Sequence, residues 1–130
     1  MVSRDTAVHV TVVVLAFAAL GVVSGYVADP DALMLAGFLL FNGAVFAGAH
    51  LYLAARGEDG LVPVSSRWRF VAAVAAVLTL GAISIVTDPV SVGPVSSDAV
   101  LAGLGAVVAV AYLVAEARSG YRESAGDARV

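Results

Sequence analysis

The chain has seven arginines and no lysine, and the arginines fall in three short stretches that alternate with four long runs free of Asp, Glu, Lys and Arg. Arg4 precedes the first run, Arg56, Arg67 and Arg69 lie between the second and third, and Arg118, Arg122 and Arg129 follow the fourth. The other two connections hold only acids, Asp29 and Asp31 in one and Asp88 and Asp98 in the other. Short arginine-rich connections are retained on the cytoplasmic side of a bilayer. The pattern therefore predicts a multi-pass protein of the cell membrane, with both termini and the middle connection in the cytoplasm and both acidic turns outside.

The uncharged runs cover residues 7–28, 32–55, 70–87 and 99–115. A helix rises about 1.5 Å per residue and the hydrocarbon core is about 30 Å thick, so about 17 to 25 apolar residues cross it. Residues are 61% hydrophobic and only 13% charged, which leaves too little polar surface to cover a water-soluble globule. The expected fold is all-α, a single domain over 1–130 with four transmembrane helices at about 7–28, 32–55, 68–87 and 98–117. Residues 119–130, with their Gly, Ser and charge, read as a frayed helix end leading into a flexible cytoplasmic tail. The first run continues past the signal-peptidase-like Ala16-Phe17-Ala18 and reads as a retained span.

Local signals place the helix starts. Asp29 before Pro30 is a capping acid followed by a proline at the first helical position, where its missing N–H costs nothing. Ser65 or Ser66 is expected to cap the third span and Ser97 the fourth, with Val90 to Ser97 an irregular outer connection. Leu20-Gly21-Val22-Val23-Ser24 before Asp29-Pro30 parallels Leu80-Gly81-Ala82-Ile83-Ser84 before Asp88-Pro89. This is either a duplicated helical hairpin or a chance likeness among helices built from Ala, Val, Leu and Gly.

In lipid, helices are held together by close backbone packing and occasional polar contacts. Gly21 and Gly25 form a GxxxG in the first span, Gly43 and Gly48 lie on the second, and Gly103 lies on the fourth. Asn42 is the one strongly polar side chain near mid-bilayer, and it is expected to face another helix and bond there. His9 and His50 stand at equal distances from the Asp29-Pro30 turn, which puts them at matched depth in an antiparallel hairpin. Such a pair could bind a haem or a metal, or relay a proton; the blander role is interfacial anchoring. His9 is turned about 120° to 160° from Gly21 and Gly25 at about 100° per residue, so if those glycines pack inward His9 points away. Trp68, Tyr52, Tyr112 and Tyr121 sit beside the arginines and Tyr26 at the far end, as interfacial aromatics do. Glu116 and the arginines read as topology signals within reach of headgroups.

With no cysteine, thiolate chemistry and disulfides are excluded. No carboxylate or arginine lies deep in a span, and no nucleophile elbow or phosphate-cradling loop is present. No enzymatic activity, resident cofactor or nucleic-acid partner is expected. The expected partners are the lipid bilayer and either further copies of the chain or a larger membrane complex. An oligomeric channel or carrier lined by Asn42, Ser24, Ser84 and Thr79 is the alternative.

The lysine-free acidic composition, the Val/Ala/Gly spans and the Tyr121-Arg122-Glu123-Ser124 tail resemble small four-span membrane proteins of haloarchaea. In size and span count the chain is also similar to the multi-span matrix proteins of haloarchaeal pleomorphic viruses. The first resemblance implies only a four-span membrane protein, whereas the second implies a structural role lining the inside of a virion membrane.

Overall fold

A computed structural model describes residues 1–128. Among these, four helical stretches are long and apolar enough to cross a membrane: Arg4–Tyr26, Pro30–Ala55, Val64–Val86 and Ser97–Asp127. The protein is an all-α, multi-pass membrane protein. Helix α1 (Arg4–Tyr26) begins at Ser3, whose hydroxyl accepts from the Thr6 N–H at 3.1 Å. The second span comprises α2 (Pro30–Leu39), a π-helical segment (Leu40–Gly48) and α3 (Ala49–Ala55). Its start follows the sequence signal, with Asp29 Oδ1 accepting from the N–H groups of Asp31 and Ala32 at 2.8 and 3.1 Å.

Helix α4 (Val64–Val86) starts earlier than its serines predict. Pro63 is the flanking residue, and the Asp59 carboxylate accepts from the Val64 N–H at 2.9 Å, so Ser65 and Ser66 lie inside the first turn. Beyond α4, strands β1 (Ser91–Val92) and β2 (Val95–Ser96) pair antiparallel, Ser91 with Ser96 and Val92 with Val95. This connection is therefore a small hairpin and not an irregular loop. Gly93, at φ +62°, supplies the left-handed residue its turn requires. Ser96 caps α5 (Ser97–Asp127), accepting from the Ala99 N–H at 3.2 Å, while Ser97 accepts from Val90 N–H at 3.0 Å and closes the hairpin.

The stretch from Ser119, read from sequence as a loosening tail, continues α5 as helix to Asp127. No proline interrupts it, and extending a helix already formed is far less costly than nucleating one. Arg129 and the last residue of the expected tail lie outside the described residues.

Helices α1, the second span and α4 form the packed core, whereas α5 lies chiefly along α4. The two hairpins thus differ in detail: the first holds the π segment and the buried centre, and the second leaves one helix at the edge. Among the described residues, buried apolar side chains are few, namely Ala16, Ala47, Ala49, Leu53 and Ala54, all but Ala16 on the second span. Two glycines permit the closest approaches. A Cβ on Gly48 would lie 2.7 Å from Val12 Cγ1, and one on Gly81 would lie 2.6 Å from Phe38 Cζ.

Candidate functional site: a polar cluster at the arginine-bearing end

One end of the bundle gathers most of the chain's ion pairs, and Arg67 is at its centre. Arg67 shares the α4 stripe of Val74, Leu78, Gly81 and Ile85 at about 100° per residue, so the helix turns it into the core. It has no exposed surface. Its Nη2 donates to both Asp5 oxygens at 3.0 Å, and its Nε donates to the Val62 carbonyl at 3.1 Å. Asp5 also accepts from the Leu61 N–H at 2.8 Å. A charge taken out of water requires such full pairing, since an unpaired one costs several kcal/mol or more. The arginine predicted to touch headgroups is thus an internal strut, because its helical phase faces inward.

The same carboxylate shapes the loop between α3 and α4. A Cβ at Gly60 would stand 2.8 Å from Asp5 Oδ2, so the loop can close on Asp5 only with glycine there. The neighbouring Arg4 forks onto Glu58, with Nη2 to Oε1 at 2.8 Å and Nε to Oε2 at 2.6 Å. Arg56 Nε reaches Glu58 Oε1 at 2.8 Å, and its guanidinium lies 5.8 Å from the Tyr52 ring centroid. The hydrogen bond from Arg56, helped by Arg4, holds the Glu58 carboxyl below the usual range, and the same bond raises Arg56. Two consecutive residues of α1 therefore grip the loop from both sides.

The histidines meet at this cluster. Their rings touch edge to face, with centroids 5.0 Å apart. His9 Nδ1 lies 2.7 Å from the Asp5 carbonyl oxygen, which can only accept, so His9 carries its proton on Nδ1. His50 Nδ1 lies 3.3 Å from Arg67 Nη1, which can only donate, so His50 is neutral with its proton on Nε2. His50 continues to Phe70 at 4.8 Å, and Phe70 to Tyr112 at 5.8 Å. With the ring centroids 5.0 Å apart and the rings edge to face, a macrocycle does not fit between them as they stand. Among the described residues no three His, Asp or Glu side chains converge as a metal site would require.

Asp5 and Arg67 are the residues the sequence reading passed over. Their helical phase was the available signal, since Asp5 shares the stripe of Val12, Ala16 and Val23.

The remaining predicted residues are dispersed. His9 faces inward because Gly21 and Gly25 face outward, and a Cβ on either glycine would meet nothing within 4 Å. The same openness surrounds Gly103, whereas a Cβ on Gly43 would lie 3.5 Å from Leu78 Cδ1. The Asn42 amide does not bridge helices through its donor: Nδ2 donates at 2.8 Å to the Phe38 carbonyl of its own helix. That is the carbonyl residue 42 would serve with its backbone N–H in a regular α-helix, so the side chain bonds back onto its own helix beside the start of the π-helical segment. Asn42 also borders an apolar cleft of about 370 Å³ shared with Phe46, Val77, Tyr112 and Leu113, open because α5 leans on α4. Ser24 and Thr79 are exposed and donate to the Gly21 and Ala75 carbonyls of their own helices.

Helices α4 and α5 are pinned at both ends. Ser84 donates to Asp98 Oδ1 at 2.7 Å at the acidic end, and Arg69 Nε donates to Glu116 Oε1 at 2.6 Å at the other, where Ser66 accepts from Arg69 Nη2 at 2.9 Å. Glu116 is therefore a helix-to-helix contact. Trp68, Tyr52, Tyr121 and Tyr26 stand exposed at the two ends, while Tyr112 is half-buried against Phe70.

These features define a small four-span membrane protein with an internal polar latch at one end. No protein-family model, curated protein or solved structure matches the chain.

Proposed function

We propose that the chain is a structural or accessory subunit of a membrane assembly, associating side by side with further copies of itself or with a larger complex. The observation that supports this reading most directly is the open small-residue surface on the outward faces of α1 and α5: Gly21 and Gly25 on α1 and Gly103 on α5 face empty space. Small residues let neighbouring helices approach closely enough for backbone packing, the main attraction available in lipid. The polar side chains add to the argument. Asp5, Arg67, Glu58 and Glu116 are engaged within the chain, and none lines a path across the bundle.

In this reading the latch sets the pitch of α1 against α4 so that the outer faces are presented rigidly. The arginine-rich connections support an inner location for both termini, and the lysine-free, acid-rich composition supports a host or virus of salt-rich habitats. Catalysis has no part in it.

Native mass spectrometry and crosslinking in mild detergent test the proposal. A defined oligomer or stoichiometric complex is expected, and Gly21→Leu with Gly25→Leu should dissociate it while leaving helix content unchanged. A strict monomer with no co-purifying protein in stoichiometric amount overturns it.

A further inference from the structure

We propose that the end of α5 carries a binding site for the headgroup of an anionic phospholipid, formed by Arg118, Tyr121 and Arg122. The argument begins with what every other described arginine does. Arg4 and Arg56 share Glu58, Arg67 holds Asp5, and Arg69 holds Glu116. Among the described residues, Arg118 and Arg122 alone have no carboxylate partner, although Glu123 and Asp127 lie on the same helix.

Helical phase explains why. At about 100° per residue, Glu116, Glu123 and Asp127 fall together on the face turned toward α4, where Glu116 meets Arg69. Arg118 and Arg122 are one turn apart on the other side, with Tyr121 beside them. The acids and the free guanidinium groups of this helix are thus segregated, and neither can neutralise the other.

The basic face is continuous with the lipid-facing surface. Val107, Val110, Leu113 and Val114 are all exposed along α5, and they lead down to a shallow depression of about 410 Å³ lined by Val114, Ala117, Arg118, Tyr121 and Arg122. Depth matches as well. The 31-residue helix is about 46 Å long against a hydrocarbon core of about 30 Å, so with Ser97 at one surface the helix leaves the core near Ala117. Arg118 to Arg122 then stand at headgroup level.

These elements specify the ligand. Two guanidinium groups one turn apart offer fork-shaped donors to phosphate oxygens, the exposed tyrosine is at home at the interface, and the aliphatic strip accepts an acyl chain. A zwitterionic lipid would place its own cation against the arginines. An anionic phosphodiester with two chains satisfies both ends of the surface.

The test uses the full chain in mixed micelles containing equal amounts of phosphatidylglycerol and phosphatidylcholine, read by native mass spectrometry. The wild-type protein should retain phosphatidylglycerol selectively. Arg118→Gln or Arg122→Gln should reduce that selectivity about 5-fold each, and both together about 30-fold, as expected for basic residues near an anionic surface. Arg118→Lys with Arg122→Lys keeps the charge but loses the forks, and should retain clearly more selectivity than the double Gln variant and less than the wild type, which separates lipid recognition from loss of fold. Arg56→Gln, whose guanidinium is already held by Glu58, should leave it unchanged. Equal retention of the two lipids by the wild type, or an equal loss in Arg56→Gln, overturns the proposal. So does displacement of the retained lipid by millimolar glycerol phosphate, since the site would then recognise a soluble phosphate and not a lipid.

Discussion

Arg67 and Asp5, 62 residues apart in sequence, are joined by one guanidinium nitrogen that lies 3.0 Å from both carboxylate oxygens. The pair fastens the first turn of α1 to the first turn of α4, and through the Leu61 N–H and the Val62 carbonyl it fastens the loop between α3 and α4 as well. Three segments thus meet on two side chains.

Removing one partner should therefore be costly. Asp5→Asn or Arg67→Gln is expected to lower stability by about 3–5 kcal/mol, because each leaves its partner buried and uncompensated. The double change Asp5→Leu with Arg67→Met should recover most of that loss. Reversible unfolding in mixed micelles measures all three, and single variants within about 0.5 kcal/mol of wild type would show that the pair is not a strut.

Glycines separate into two classes that substitution distinguishes. Gly48→Ala and Gly81→Ala press a methyl into Val12 and Phe38 and should cost about 1–3 kcal/mol. Gly21→Ala and Gly25→Ala meet open space and should leave the monomer as stable, or about 0.5–1 kcal/mol more stable through better helix propensity. Thermal melting of the four variants in one detergent gives the ranking, and the reverse order would contradict the packing described above.

The tautomers of the histidine pair are open to direct observation. Long-range nitrogen–proton NMR spectra at neutral pH should show His9 protonated at Nδ1 and His50 protonated at Nε2. Arg67→Gln removes the donor facing His50 and should release its tautomer while His9, held by the Asp5 carbonyl, keeps its own. Two Nε2–H histidines in the wild type would contradict the geometry.

Acidification should loosen the loop through Glu58. Its carboxyl is held below the ordinary glutamate range by Arg56 and Arg4, so the folded state favours the ionised form. That contribution is fully present above the unfolded-state value and is lost as pH falls through the lower, folded-state value. Carbon-13 titration of the Glu58 carboxyl should give a midpoint below that of a free glutamate, and Arg56→Gln should move it upward. A midpoint at or above the free value would show that the fork is not populated.

Much of the architecture was legible because the bilayer is a demanding solvent. Lipid cannot hydrogen-bond a backbone, so uncharged runs of sufficient length must be helical, and Asp29-Pro30 announces a helix start by rules that act within four residues. The starts of α4 and α5 were less legible. Asp59 reaches across a turn to cap Val64, and the Ser91–Ser96 pairing shifts the cap of α5 to Ser96. Asn42 was expected to bond to another helix, whereas its amide donates to its own, since nothing local to the residue announces a π-helical register. His9 and His50 were matched in depth by counting, but their orientation depended on which face of α1 turned inward, and the glycines pointed to the opposite one.

The linear chain determined the number of long apolar helices and the end of the bundle at which the arginines gather, because hydropathy and charge act residue by residue against a slab of fixed thickness. Only the tertiary structure decided which arginines are spent internally and which remain free. Arg67 and Arg118 are the same residue type at the same end of the bundle, and their difference is one of helical phase relative to a neighbour. That phase is set when α1, α4 and the second span pack, through Gly48 on Val12 and Gly81 on Phe38, and by then Asp5 is the carboxylate Arg67 meets.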